Sequence, residues 1–229
     1  MFSRFLVCSM FFLPAVSAVA EEAPPLKKGD KIICLGDSIT QGGGGPKGYV
    51  TLIRNAVTEK HKDFGIEVIN AGVSGNKVPN LQARLEKDVL SKKPTLVIIY
   101  IGINDVWHGE KNPANGTSKE KFEEGLKDIV GKIQAIGGRV VICTPTVIGE
   151  KTGGANSLDA KLDEYSDISR KVAKELKLPL CDLRQAFVDH LKANNAKNDE
   201  KGVLTGDRVH LNEAGNKLVA ETMLKTIDR

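Results

Sequence analysis

The chain has 229 residues, 41% of them hydrophobic and 27% charged, and a formal net charge of +4. That length suits a single domain with one sizeable core. The slight positive balance, with lysines scattered among acids rather than massed on one stretch, argues against a nucleic-acid partner.

Residues 1–20 stand apart. Arg4 precedes a long apolar stretch through Phe12 and Leu13, and the segment ends in the small residues of Ala18-Val19-Ala20. This is the pattern of a secretory signal peptide cleaved after Ala20. It predicts an exported protein, periplasmic or extracellular, whose single domain is 21–229. The apolar run is shorter than the ~20 residues of a membrane span and Pro14 interrupts it, so no stable membrane anchor is expected. Beyond the signal segment remain Cys34, Cys143 and Cys181, each in an apolar run. An odd number of cysteines argues against a disulfide framework and for buried strand thiols. Neither Cys-x-x-Cys nor a His pair at ligand spacing occurs, so no metal site is expected.

The first strand reads as 31–35, through Ile32-Ile33-Cys34-Leu35. The chain then turns through Gly36-Asp37-Ser38-Ile39-Thr40, which sets Ser38 in the first turn of a helix with its oxygen exposed and its N–H facing outward as an anion donor. The Gly42–Gly45 run that follows lacks the Gly-Lys-Ser/Thr ending of a phosphate loop and reads as a flexible rim. A helix over 49–60 leads to a second strand, 66–69, and then to Asn70-Ala71-Gly72-Val73-Ser74-Gly75-Asn76. A glycine there permits positive φ and close approach, so its N–H can serve an oxyanion. After a helix over 80–90 and a strand over 95–101 comes Gly102-Ile103-Asn104-Asp105. The Asn104 amide can donate without carrying charge, and Asp105 beside it is a candidate orienting group.

His108, next to Trp107, is placed at the mouth of the site. Helices over 119–136 and 158–176 alternate with strands 139–143 and 178–181. The segments 108–118 and 149–157, rich in Gly, Asn, Lys and Thr, read as a polar rim that favours a small acyl group on a polar carrier over a long-chain lipid. Before the last helix, 213–226, lies Asp207-Arg208-Val209-His210. A spacing of three can bring the carboxylate to Nδ1 of the imidazole, leaving Nε2 to face Ser38. His61 and His190 sit in polar helical contexts and read as solvated.

Near-continuous hydrophobicity in the strands suits a sheet covered on both faces, and strand-helix alternation implies a mainly parallel five-stranded sheet between two helical layers. In such an α/β sheet the ligand crevice lies beyond the carboxyl ends of the strands. Ser38, the 70–76 segment and Asn104 all fall there.

These blocks, in this order and over nearly the whole of 21–229, resemble the SGNH (GDSL) hydrolases. The matching residues are Gly36-Asp37-Ser38, the glycine of 70–76, Gly102-Ile103-Asn104-Asp105, and Asp207-Arg208-Val209-His210. The resemblance implies a flavodoxin-like α/β/α sandwich and a serine esterase that needs no cofactor. It implies Ser38 as nucleophile, His210 as base and Asp207 as its orienting carboxylate. The oxyanion hole it implies comprises the N–H groups of Ser38 and Gly75 with the Asn104 side chain, Gly75 being preferred to Gly72. Asp37, Asp105, Trp107 and His108 stand beside these as substrate-binding or orienting groups. The expected substrate is a small-molecule or polysaccharide ester with a short acyl group, probed against two rivals: a lipid or thioester acyl hydrolase, and a non-catalytic carbohydrate-binding domain. The ordinary α/β-hydrolase elbow, Gly-x-Ser-x-Gly, is absent, Thr40 occupying its last position.

Overall fold

The computed structural model describes residues 23 and 25–228. The expected signal peptide lies outside the described residues. Five parallel strands form one sheet in the order β2-β1-β3-β4-β5: β1 (Lys31–Gly36), β2 (Glu67–Gly72), β3 (Leu96–Tyr100), β4 (Arg139–Cys143) and β5 (Leu180–Cys181). Every residue of β3 is buried, as the apolar run Leu96-Val97-Ile98-Ile99-Tyr100 requires of a central strand covered on both faces. Cys34, Cys143 and Cys181 are free, buried thiols on β1, β4 and β5.

The helices are α1 (Ser38–Gly42), α2 (Tyr49–Lys60), α3 (Val78–Asp88), α4 (Ile103–Trp107), α5 (Lys119–Ala135), α6 (Asp159–Glu175), α7 (Leu183–Asn194) and α8 (Glu213–Ile227). Helices α3, α5 and α6 pack together in one layer, and α2 packs with α8 and α8 with α7 in the other. Each long helix buries an apolar stripe, such as Phe122, Leu126, Ile129, Val130 and Ile133 of α5. Full burial of one such side chain stabilises by roughly 1.5–3 kcal/mol. Among the described residues no helix is long and apolar enough to cross a membrane.

Four expectations change. Helix α7 lies where none was expected, capped by Asp182, whose side chain accepts from Gln185 N at 3.1 Å, and burying Leu183, Phe187 and Leu191. The last strand shrinks to two residues because it is an edge strand that pairs only along Ile142 and Cys143. The glycine-rich segment is a packed turn rather than a flexible rim, since Gly43 O accepts from Val50 N and Thr51 N and a Cβ at Gly48 would collide with Gly43. His61 is not solvated: it stacks on Phe64 and its Nε2 lies 2.7 Å from Asp228 Oδ1.

Candidate active site

The strand order places β1 beside β3, and the chain leaves β1 toward the α2 layer but β3 toward the α5 layer, which opens a crevice at their carboxyl ends. Ser38, Gly75 and Asn104 follow β1, β2 and β3 in turn, and Asp207 and His210 arrive on the loop before α8.

Ser38 is the first residue of α1, and Asp37 is its N-cap, accepting from Ile39 N at 2.9 Å. Glycine at 36 follows from close packing: a Cβ would collide with Thr40 Oγ1 and the Tyr100 carbonyl. The strand-to-helix turn thus presents Ser38 at a helix N-terminus, where backbone N–H groups lack intrahelical partners.

Across the crevice, His210 Nε2 lies 2.9 Å from Ser38 Oγ, and His210 Nδ1 lies 2.7 Å from Asp207 Oδ2. The other Asp207 oxygen accepts from the backbone N–H of Val209 at 3.1 Å and of His210 at 2.8 Å, so the carboxylate folds its own loop around the imidazole. Partial burial works to raise the Asp207 pKa, but hydrogen bonds from the His210 side chain and from the His210 and Val209 backbone outweigh it and hold the carboxyl below its usual range. The Asp207 and His210 side chains are 56% and 44% exposed, so this pair works at the surface.

Asn104 is buried in α4, 4% exposed, and its Nδ2 donates to Asn76 O at 3.1 Å. One N–H of the amide is thereby used to join the β3 and β2 loops, which leaves the second. The two candidate glycines differ sharply. Gly72 N donates to Asn70 Oδ1 at 2.8 Å and its Cα packs against the Thr40–Gln41 backbone, whereas Gly75 is exposed, has φ of +74° and has open space around it. A donor on this loop therefore sits more naturally at Gly75.

The accessory residues separate into two groups. Asp37 and Asp105 are buried behind the crevice and Asp105 Oδ1 accepts from Val78 N at 3.1 Å. Burial pushes the Asp37 carboxyl up to about 7 against the opposing Ile39 N–H, with the charge of Asp105 adding to the rise. Burial likewise lifts Asp105 to about 6, against the opposing effects of the Thr117 side chain and the Val78 N–H. Both are placed to build the site rather than to touch substrate. Trp107 is half-buried with its ring centroid 6.3 Å from that of His108, which is exposed and, with Lys77, Ala114 and Asn115, lines an open depression. Slight burial and the Lys77 charge lower the His108 pKa. The expected polar rim is only partly surface: Gly109 and Thr117 of 108–118, and Gly149, Glu150 and Asn156 of 149–157, are buried.

Arg84 escaped the sequence reading. Its guanidinium donates to Gly36 O at 2.8 Å, Ala71 O at 2.9 Å and Asn76 Oδ1 at 2.7 Å, tying the ends of β1 and β2 to the loop that carries Gly75. A helical arginine offers no local signal of a partner 48 positions away.

Chemically, the arrangement can pass the Ser38 proton to an imidazole held in one orientation by a carboxylate. Several known proteins are similar to this chain in sequence and fold. Residues 34–218 match the model of the GDSL-like lipase/acylhydrolase family. An acetylxylan esterase of Geobacillus stearothermophilus is 30% identical over 213 residues, spanning 87% of this chain and 94% of that protein. The isoamyl acetate-hydrolyzing esterase 1 homolog of Rattus norvegicus is 23% identical over 87% of this chain and 82% of its own. The crystal structure of an acetyl xylan esterase, 42% identical, superposes with a TM-score of 0.82 over 85% of this chain and 98% of that one. The chain belongs to the GDSL-like lipase/acylhydrolase family and is a carboxylic ester hydrolase.

Proposed function

We propose that this esterase removes short acyl groups, above all acetyl, from carbohydrate, using Ser38, His210 and Asp207 as its catalytic triad. The observation that carries the triad is the unbroken relay from Ser38 Oγ to His210 Nε2 at 2.9 Å and from His210 Nδ1 to Asp207 at 2.7 Å. The acetyl-carbohydrate reading is supported by the resemblance to acetylxylan esterases in both sequence and fold, and by the polar composition of the 108–118 and 149–157 segments.

In this mechanism His210 Nε2 takes the proton of Ser38 as Oγ attacks the ester carbonyl. The oxyanion is held by the N–H groups of Ser38 and Gly75 and by the Asn104 amide. Collapse of the tetrahedral intermediate breaks the bond to the sugar oxygen, which leaves with the proton from His210. Water then attacks the acyl-enzyme, giving its proton to His210, and acetate departs as Ser38 recovers its own. No cofactor enters either half-reaction. Export through residues 1–20 would bring the enzyme to polysaccharide outside the cytoplasm.

The test is hydrolysis of acetyl, butyryl and octanoyl nitrophenyl esters by 21–229, with acetylated xylan as a polymer substrate. The expected result is a rate maximum at acetyl and release of acetate from xylan. A maximum at octanoyl would replace this reading with a lipid acyl hydrolase.

A further inference from the structure

The loop that brings Asp207 and His210 to Ser38 has little regular structure, a single bridge between Thr205 and Leu211 being its one sheet-like contact. Three successive backbone N–H groups in its stem, those of Val203, Leu204 and Thr205, find no strand partner. All three donate to one side chain. Glu150, fully buried, accepts from Val203 N through Oε2 at 2.7 Å and from Leu204 N through Oε1 at 2.7 Å. Its Oε1 also takes the Thr205 N–H, and the Thr205 hydroxyl at 2.7 Å.

The backbone around Glu150 completes the clamp. Gly149 N donates to Arg208 O at 2.8 Å, inside the Asp207–His210 turn itself, and Glu150 N donates to Glu200 O at 2.9 Å. Asn195 Nδ2 closes the other side on Glu150 O at 2.8 Å. One strut leaving the end of β4 therefore grips both the stem and the tip of the loop.

We propose that Glu150 is a positioning residue for the acid-base pair: its buried carboxylate sets the register of the 203–205 stem, and with it the reach of His210 to Ser38. The inference rests on the triad reading above. A buried charged group persists only where hydrogen bonds replace its water, and here four donors do so. The pattern also demands a carboxylate. Glutamine could offer one acceptor oxygen but would turn an N–H toward the Val203 N–H, aspartate is one methylene too short to span the stem, and alanine would strand four buried donors.

The experiment compares Glu150→Gln, Glu150→Asp and Thr205→Val with the unaltered protein, reading kcat and KM on an acetyl nitrophenyl ester and the low-field proton resonance of the His210–Asp207 hydrogen bond. The expected result for Glu150→Gln is a kcat about 10²-fold lower with KM changed less than about threefold, because the reacting groups are displaced while the crevice is not. Its low-field resonance should shift or vanish, with Glu150→Asp intermediate. Thr205→Val, which removes one donor of four and keeps every backbone bond, should move kcat and resonance in the same direction by less. Ile133→Ala, a core truncation in α5, supplies a comparable loss of stability with kcat and resonance unchanged. Normal kcat and resonance in Glu150→Gln would overturn the proposal, as would losses no greater than those of Ile133→Ala. Ser38→Ala is measured alongside: activity surviving in it would overturn the triad reading and this inference together, whereas an inactive Ser38→Ala beside a normal Glu150→Gln would overturn the positioning role alone.

Discussion

The strand-borne half of the site, with Ser38, Gly75 and Asn104, and the loop-borne half, with Asp207 and His210, are held by different means. Ser38 and Asn104 lie in the first turns of short helices that follow β1 and β3, strands buried at every residue but Lys31, and Asn104 is itself 4% exposed. The sheet and the core beneath it place them. Asp207 and His210 are about half exposed and stand on a loop whose shape comes from hydrogen bonds to a distant strut. The difference teaches that one half inherits its precision from the fold, whereas the other has it built separately, so the two should fail differently when perturbed.

The largest expected effects fall on the reacting groups, whichever half they occupy. Ser38→Ala and His210→Ala should each lower kcat by about 10⁴-fold or more. Asp207→Asn should cost less, on the order of 10³-fold, because water can reach its exposed side chain and replace part of the lost interaction. Steady-state kinetics on acetyl nitrophenyl ester checks all three. Equal losses for Asp207→Asn and His210→Ala would mean that the surface position of the pair makes no difference. Because hydrogen bonds from His210 and Val209 hold its pKa down, Asp207 should stay ionised to lower pH than an ordinary carboxylate, which a pH series of its carboxyl resonance checks.

Next comes the proposed oxyanion donor. Asn104→Ala should lower kcat by about 10²- to 10³-fold with KM little changed, as expected of a donor used mainly in the transition state. Because Asn104 also donates to Asn76 O, urea unfolding of Asn104→Ala, measured beside its kinetics, reads the loss of loop support apart from the loss of turnover. A KM effect in place of a kcat effect would remove Asn104 from the oxyanion hole.

The smallest effect is on stability, and it sharpens the contrast in burial. Asp37 has a folded pKa raised by burial to about 7. Its contribution to stability is therefore complete below its ordinary value of 3.8 and is lost as pH rises through about 7. Asn can cap α1 as well as Asp and never ionises. The Asp37→Asn variant should match the unaltered protein near pH 4 and become the more stable one by pH 8, by an amount on the order of a few kcal/mol. Urea unfolding across that range reads the difference, with the raised Asp105 leaving a residual slope in both proteins. Parallel curves would show that burial does not govern Asp37.

The same division explains what could be read in the sequence. Strands such as Arg139–Cys143 and the residues Ser38, Asn104, Asp207 and His210 stand out because local pattern and short motifs carry them. Helix α4 spans only five residues, too few for a helical period to register, and α7 begins two residues after β5 ends, with no loop to mark the change. The Leu183, Phe187 and Leu191 spacing with Asp182 as cap did hold the signature of α7. Arg84 and Glu150 are another matter. Arg84 reaches partners 8, 13 and 48 positions away and Glu150 partners 53–55 positions away, so no helical or strand period distinguishes them from solvent-facing charges. Motifs expose the groups that react; the groups that hold them are written in tertiary contacts.

The central claim is that Ser38 forms a covalent acyl-enzyme. The most direct measurement is peptide mapping by mass spectrometry after treatment with a fluorophosphonate, which captures a serine activated by a neighbouring base. The account predicts one adduct, on the peptide containing Ser38, abolished in Ser38→Ala and slowed by orders of magnitude in His210→Ala. An adduct on any other residue, or none on a preparation that hydrolyses acetyl esters, would contradict it.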